Sequence, residues 1–341
     1  MIDSLDDVRA LIRELPRPDN MAVTQAAARE ATLTKPPGSL GRLERLAEWV
    51  CAWQGRHPPS VERCRMAVFA GNHGVTEEGV SAFPADVTVQ MVGNFEAGGA
   101  AINQLCAEAG CELKVYPLAG LAPTRNFRRE PAMTEEECVD AIAVGMKAVE
   151  DGLDLLCLGE MGIGNTTAAA ALCHALFGGD PESWVGPGTG VAGDVLTGKV
   201  RVVGDAVRRH RAEMHDGLEA LRCVGGRELA AMAGAIVAAR HRRIPVILDG
   251  YVCGAAAAAI HAMDAGALDH CIVGHASAEP GHRRLLEAIG QRPVLDLEMR
   301  LGEGSGAALA LMIVRAAVRC HTGMATFQDA GVSEKMENSP E

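Results

Sequence analysis

Short apolar runs, each followed by a glycine-rich polar segment, constrain the fold of this chain more than any other feature. Six such runs fall at residues 66–70, 113–116, 153–158, 245–248, 271–273 and 293–297, with longer helical stretches between several of them. That alternation predicts βαβ units and a mainly parallel sheet flanked by helices. The runs are followed by AGNHGV, PLAG, GEMGIGNTT, DGYVCG, GHASAEPG and EMRLGEGSG. Glycine and polar groups thus gather at the carboxyl ends of the strands, where open α/β sheets bind ligands.

Ahead of the first run, three helices are expected. Two cover residues 6–15 and 24–33, and the third is opened by Pro36-Pro37-Gly38-Ser39, with Leu40, Leu43, Leu46 or Ala47, and Val50 on one apolar face. His57-Pro58-Pro59-Ser60 marks a boundary. At 341 residues the chain exceeds a typical single core, so one large domain plus a smaller one is expected. A connector over residues 183–199 reads as too glycine-rich for a helix and long enough for a functional loop, and residues 331–341 read as a polar, disordered tail.

Composition narrows the function classes. Apolar residues make up 48% but aromatics only 3%, so the core must be built from Ala, Val, Leu and Ile. The formal charge of -12 repels a phosphate backbone, which argues against nucleic acid and anionic membrane as partners. No apolar run is long enough to span a bilayer, and the first residues do not read as a secretory signal. The eleven cysteines are scattered without a C-x-x-C pair, as expected of reduced, buried thiols in a cytoplasmic protein. There is no H-E-x-x-H, and His210 with His215, or His270 with His275, stand five apart, off one helical face. No metal site is expected.

Two of the loops carry the chemistry. In GEMGIGNTT, residues 159–167, glycines let backbone N–H groups approach an anion, and the helix that follows adds a partial positive charge. The segment lacks the Gly-Lys-Ser/Thr of a P-loop and the G-x-G-x-x-G spacing, which removes the main support for a nucleoside triphosphate or a dinucleotide. A tight turn capped by Thr166 or Thr167 is the plain alternative. LGEGSG places Glu303 between glycines before an apolar helix. Either Glu303 projects from a narrow turn, or it stabilises the first helical turn through the macrodipole. Glu160, a second carboxylate in a second glycine loop, tilts the reading toward acid/base work at a sugar carbon or ring nitrogen. Lys199 and Ser277 can contact an anion if the loops converge, and Arg300 can hold a carboxylate bidentately. An exposed surface position is the usual explanation for each of these two cations. Asp249 suits a ribose hydroxyl, or an Asx-turn or N-cap. His73 reads as a histidine satisfied by neighbouring backbone.

In order, TKPPGSLGRLE, AGNHGV, EEGVSAFPADVTVQM, GEMGIGNTT, ILDGYVCGAAA, VGHASAEPGH and LDLEMRLGEGSGAALA closely resemble the nicotinate-nucleotide:dimethylbenzimidazole phosphoribosyltransferases of cobalamin lower-ligand assembly, over about residues 34–329. The resemblance implies a homodimer. Each subunit would have a large α/β domain, residues 63–319, with a Rossmann-like six-stranded parallel sheet. A small helical domain would come from both chain ends, residues 1–62 and 320–341. Carried over residue by residue, it implies Glu303 as the catalytic carboxylate and Glu160 as a second one. It puts the donor phosphate at Gly162, Gly164, Asn165 and Thr166, assisted by Lys199 and Ser277, with Arg300 and Asp249 near the nicotinate and ribose. The base pocket would involve Ser81, Phe83, Gln90, Met161 and Leu301. Two departures stand out: Asn72 where relatives are expected to have Asp, which opens any acidic role there, and Met161, which opens the identity of the base.

The implied reaction converts nicotinate mononucleotide and 5,6-dimethylbenzimidazole to α-ribazole 5'-phosphate, nicotinate and a proton, in the nucleotide-loop branch of cobalamin biosynthesis. Neither metal nor cofactor is expected, because the leaving pyridinium is already cationic. The nearest rival is a phosphoribosyltransferase with a pyrophosphate-bearing donor and Mg²⁺, although Asp249 is followed by Gly250 where paired acids belong. A non-catalytic nucleotide-binding module and an oxidoreductase are weaker rivals.

Overall fold

The computed structural model describes residues 2–333, so the expected polar tail lies, from residue 334 on, outside the described residues. Strands β1 (Cys64–Ala70), β2 (Glu112–Pro117), β3 (Leu155–Met161), β4 (Val246–Leu248) and β5 (Cys271–Val273) form one parallel sheet in the order β2-β1-β3-β4-β5. The chain passes from β1 outward to β2, then returns to the other side of β1 for β3. Crossovers therefore diverge between β1 and β3 and leave a crevice at their carboxyl ends, the usual ligand position in such sheets.

The sheet has five strands, not the six implied by resemblance. The sixth apolar run, residues 293–297, makes one isolated parallel bridge between His275 and Leu295, beyond the end of β5. Its hydrogen bonds are few: Val294 N–H donates to Val273 O (2.9 Å), Leu295 N–H to Gly274 O (3.0 Å), and Ala276 N–H to Leu295 O (2.8 Å). Pro293 has no N–H to donate, and Glu298 at φ 57° turns the chain out of the extended conformation.

Side-chain alternation divides the sheet between two cores. Ala67, Phe69, Leu156, Leu158, Val246 and Leu248 face one, while Met66, Val68, Leu155, Cys157 and Ile247 face the other. Period-two alternation with both faces apolar makes these runs continuously hydrophobic and requires helices on both sides. The first face is covered by Glu135–Ala148, Asn165–Phe177, Arg227–His241 and Tyr251–His261, the second by Arg42–Gln54, Ala101–Ala109 and Ser305–Gly323. The expected Ala-rich core is present, and it brings backbones close. A Cβ on Gly145 would fall 1.7 Å from Ala231 O, and one on Gly234 would fall 2.2 Å from Ile142 O, so two helices cross at glycines. All eleven cysteines are free and ten are buried.

The chain ends meet. Leu33 bridges Thr326 antiparallel, Thr34 N–H donates to Ala325 O (3.1 Å), and His321 Nδ1 lies 2.6 Å from Glu30. The first three helices are Leu5–Arg13, Asn20–Thr32 and Arg42–Gln54, close to the expected segments. The connector at residues 183–199 departs from its reading as a loop, because a helix already begins at Gly193 and runs to His210. Its buried Lys199, Val202, Val203, Ala206 and His210 recur at helical spacing, and that stripe outweighs Gly193 and Gly198. Among the described residues no helix is long and apolar enough to cross a membrane.

Candidate functional site

A crevice of about 460 Å³ opens at the carboxyl ends of β3, β4 and β5, walled by the end of β3, residues 249–252 and 275–279, the 300–303 turn and the 83–91 segment. Two carboxylates meet in it. Glu303 has φ 61°, between Gly302 and Gly304, both at φ 85°. Three consecutive left-handed residues make a narrow turn, and a non-glycine residue held there is strain of the kind that gathers at functional sites. The turn seats directly on β3: Glu303 N–H donates to Glu160 O (3.1 Å), and a Cβ on Gly159 would fall 2.5 Å from Gly304 N. Gly302 is required as well, since a Cβ there would meet Glu160 Oε1 at 2.6 Å. The Glu303 carboxylate is buried, and its Oε2 has no hydrogen-bond partner. Burial and, next, the charge of Asp249 push its pKa up to about 7.

Glu160 is buried at the end of β3, where its Oε2 accepts a hydrogen bond from Asn165 Nδ2. Burial raises its pKa well above the usual carboxylate range, reinforced by Asp249 and Glu228 and opposed by Asn165. Beside it, the Asn165–Phe177 helix starts from Gly164 at φ 93°, with no capping side chain on its first N–H groups. Lys199, 1% exposed, donates from Nζ to Thr166 Oγ1 (2.8 Å) and to Gly186 O (3.0 Å). Burial lowers its pKa to about 8. A buried cation behind a helix N-terminus is suited to a phosphate. Ser277 lies on the crevice wall, its N–H bonded to His282 Nδ1 (2.8 Å). Arg300, also on the wall, donates to Gly188 O (3.0 Å).

Asp249, read from sequence either as a ribose ligand or as an Asx-turn or N-cap residue, lies on the crevice wall and bonds backbone N–H groups. It is 1% exposed, and both its oxygens accept backbone N–H bonds, from Gly304 (3.1 Å), Gly306 (2.7 Å) and Ala307 (3.0 Å). His73 is fully buried and meets a side chain rather than the expected backbone, with Nε2 2.5 Å from Glu228 Oε1. Asn72 donates from Nδ2 to Leu121 O (3.1 Å), a bond an ionised Asp could not make.

Of the expected base-pocket residues, Phe83, Met161 and Leu301 lie on the crevice wall, with Phe83 and Leu301 at least half exposed. Ser81, Gln90, Gly164 and Lys199 are not on that wall. Ser81 Oγ instead meets Thr189 Oγ1 (3.2 Å), joining the 79–85 and 187–192 loops. Sequence reading missed Val87 and Met91, which complete the apolar wall. Their i, i+4 spacing on the Asp86–Glu96 helix looks like any core stripe. It also missed Glu279, buried on the wall, whose Oε1 accepts from Gly188 N–H (2.9 Å); an acid in the same loop as Ser277 was the available signal.

Outside the crevice wall, His210, Glu213 and Cys223 bring ligand atoms within 4.8 Å of one another. Both ring nitrogens of His210 are already engaged, by Phe127 O and Glu213. The crevice itself groups carboxylates with glycine backbone, and the buried ammonium of Lys199 stands behind its wall on Thr166. That donor set suits a phosphorylated sugar and a flat apolar ring.

A family model described as a phosphoribosyltransferase matches residues 15–332. A nicotinate-nucleotide–dimethylbenzimidazole phosphoribosyltransferase of Sinorhizobium medicae is 58% identical over 331 residues, 97% of this chain and 98% of that protein. One of the same name from Brucella anthropi is 58% identical over 328 residues, 96% of this chain and 97% of that protein. The solved structure of CobT from Thermus thermophilus superposes with a TM-score of 0.85 at 44% identity, covering 92% of this chain and 100% of that one.

Proposed function

Because the chain belongs to the nicotinate-nucleotide–dimethylbenzimidazole phosphoribosyltransferase family, we propose that it transfers phosphoribose from nicotinate mononucleotide to 5,6-dimethylbenzimidazole, releasing α-ribazole 5'-phosphate and nicotinate for cobalamin assembly. The carrying observation is the pair of buried carboxylates, Glu160 and Glu303, joined through Glu303 N–H to Glu160 O at the point where the crossovers diverge.

In this reading one benzimidazole nitrogen attacks C1' from the face opposite nicotinate. The C1'–N bond breaks, and its electron pair neutralises the pyridinium. The N–H proton of the acceptor passes to Glu303, whose Oε2 lacks a partner and whose pKa of about 7 suits a general base near neutral pH. Glu160 faces the developing positive charge at the sugar. Gly162, Gly164, Asn165 and Thr166, with Lys199 and Ser277, would hold the phosphate and so align C1'. Arg300 would meet the nicotinate carboxylate. Phe83, Met161 and Leu301, joined by Val87 and Met91, would enclose the acceptor ring.

The test is chromatography of the chain with nicotinate mononucleotide and a panel of bases. Stoichiometric nicotinate and a new nucleotide with dimethylbenzimidazole are expected. Nicotinate release that leaves only ribose phosphate would overturn the transfer. A cytoplasmic homodimer, with a small helical domain from residues 1–62 and 320–341 against a catalytic domain at 63–319, belongs to the same proposal. The small domain is supported by the meeting of the chain ends at Leu33 and Thr326, and sedimentation of the purified chain tests the dimer.

A further inference from the structure

Asp249 follows β4 and faces the first turn of the Ser305–Gly323 helix, on a different element. That helix has Gly304 as its N-cap and therefore no side chain of its own for the free N–H groups of its first turn. Asp249 supplies the missing acceptor from outside: Oδ2 takes Gly304 N–H and Oδ1 takes Gly306 N–H and Ala307 N–H. Gly304 is the residue directly after Glu303, so the anchor is one peptide from the base. Three N–H donors take three of the carboxylate's roughly four lone-pair sites and leave about one, on Oδ2, for a sugar hydroxyl.

We propose that Asp249 is a positioning residue that acts through Glu303, anchoring the left-handed turn by its three backbone hydrogen bonds and setting a second carboxylate behind the base. This rests on the reading of Glu303 as the base. The charged and titratable groups around Glu303 come from several elements: Asp249 after β4, Glu160 on β3 with Glu228 behind it, His275 after β5, and Arg300 on its own segment. Asp249 bears on Glu303 most strongly after burial, and raises its proton affinity. Burial raises the Asp249 carboxyl too, while His275, whose Nε2 is 3.7 Å away, and the three N–H donors favour its charged form.

Glu303 must be deprotonated to act, so activity rises with pH through its pKa, and removing a neighbouring negative charge lowers that pKa. The experiment compares pH profiles of kcat, and KM for nicotinate mononucleotide, in the wild type, Asp249→Asn, Asp249→Ser and Glu303→Gln. Asp249→Asn is expected to keep KM within about twofold while kcat falls about 10²-fold, the scale of a roughly 1 Å misplacement. Its acid limb is expected to move down by about one pH unit. A tenfold rise in KM with kcat kept would assign Asp249 to the ribose and overturn the proposal. An unmoved acid limb, or failure of both neutral variants to fold, would make Asp249 merely structural and overturn it as well. Glu303→Gln reports separately: full turnover there would remove the base itself, whatever Asp249 does.

Discussion

Glu303 and Lys199 are perturbed in opposite directions by the same cause, burial, which disfavours charge: the acid is pushed up to about 7 and the ammonium down to about 8. In the proposed mechanism Glu303 as base and Lys199 as phosphate clamp are both ready only between those values, so kcat/KM for nicotinate mononucleotide is expected to be bell-shaped with a narrow maximum there. Lys199→Met should flatten the alkaline limb and weaken donor binding; an unchanged limb would detach Lys199 from the phosphate. Glu303→Gln should fold normally and lose about 10²–10⁴-fold in turnover, the usual span for a general base, as a stopped nicotinate assay would read. Residues of this kind were legible because glycines accompany them: Glu303 in LGEGSG could be read alone as an acid in a first helical turn, and Glu160 in GEMGIGN, a second acid in a second glycine loop, tilted the reading. Asp249 was legible as important but not in its contacts, because its hydrogen-bond partners are backbone groups more than fifty residues away.

At the scale of elements, the site depends on a turn lying flat on a strand. Gly159 has ordinary strand geometry, yet a Cβ there would press on Gly304 N, Gly304 Cα and Glu303 C at 2.5–2.8 Å. Gly159→Ala should therefore fold, lose about 1–3 kcal/mol to overpacking, and lose turnover about 10²-fold by lifting the Glu303 turn. Wild-type kcat in a variant of lowered Tm would refute the dependence. Five strands and the first three helices could be read from period and length, since both sheet faces are apolar and the breakers are strong. Two elements could not. Residues 293–297 have the composition of a strand, but pairing is decided by where β5 ends and by Glu298 turning at positive φ. The helix from Gly193 was hidden by its glycines, although the stripe from Lys199 to His210 fixes it once a neighbouring surface is there to bury it.

For the molecule as a whole, the proposed chemistry separates cleanly from that of pyrophosphate-donor enzymes. A pyrophosphate leaving group needs Mg²⁺ to offset its charge, whereas nicotinate leaves as bond cleavage discharges a pyridinium. Nicotinate release with dimethylbenzimidazole is accordingly expected to be unchanged in excess EDTA. Loss of turnover on chelation, restored by Mg²⁺, would favour the pyrophosphate reading. The bond from Glu303 N–H to Glu160 O has a consequence beyond catalysis. It fixes the spacing of the two acids through main chain, which substitution of neighbouring side chains leaves in place. Phe83 and Leu301, by contrast, stand at the rim, 50% and 56% exposed, with little packing to lose. Under the proposed placement of the acceptor ring, exchange of these two rim residues is expected to change which ring is accepted, while the spacing of Glu160 and Glu303 stays as the main chain sets it.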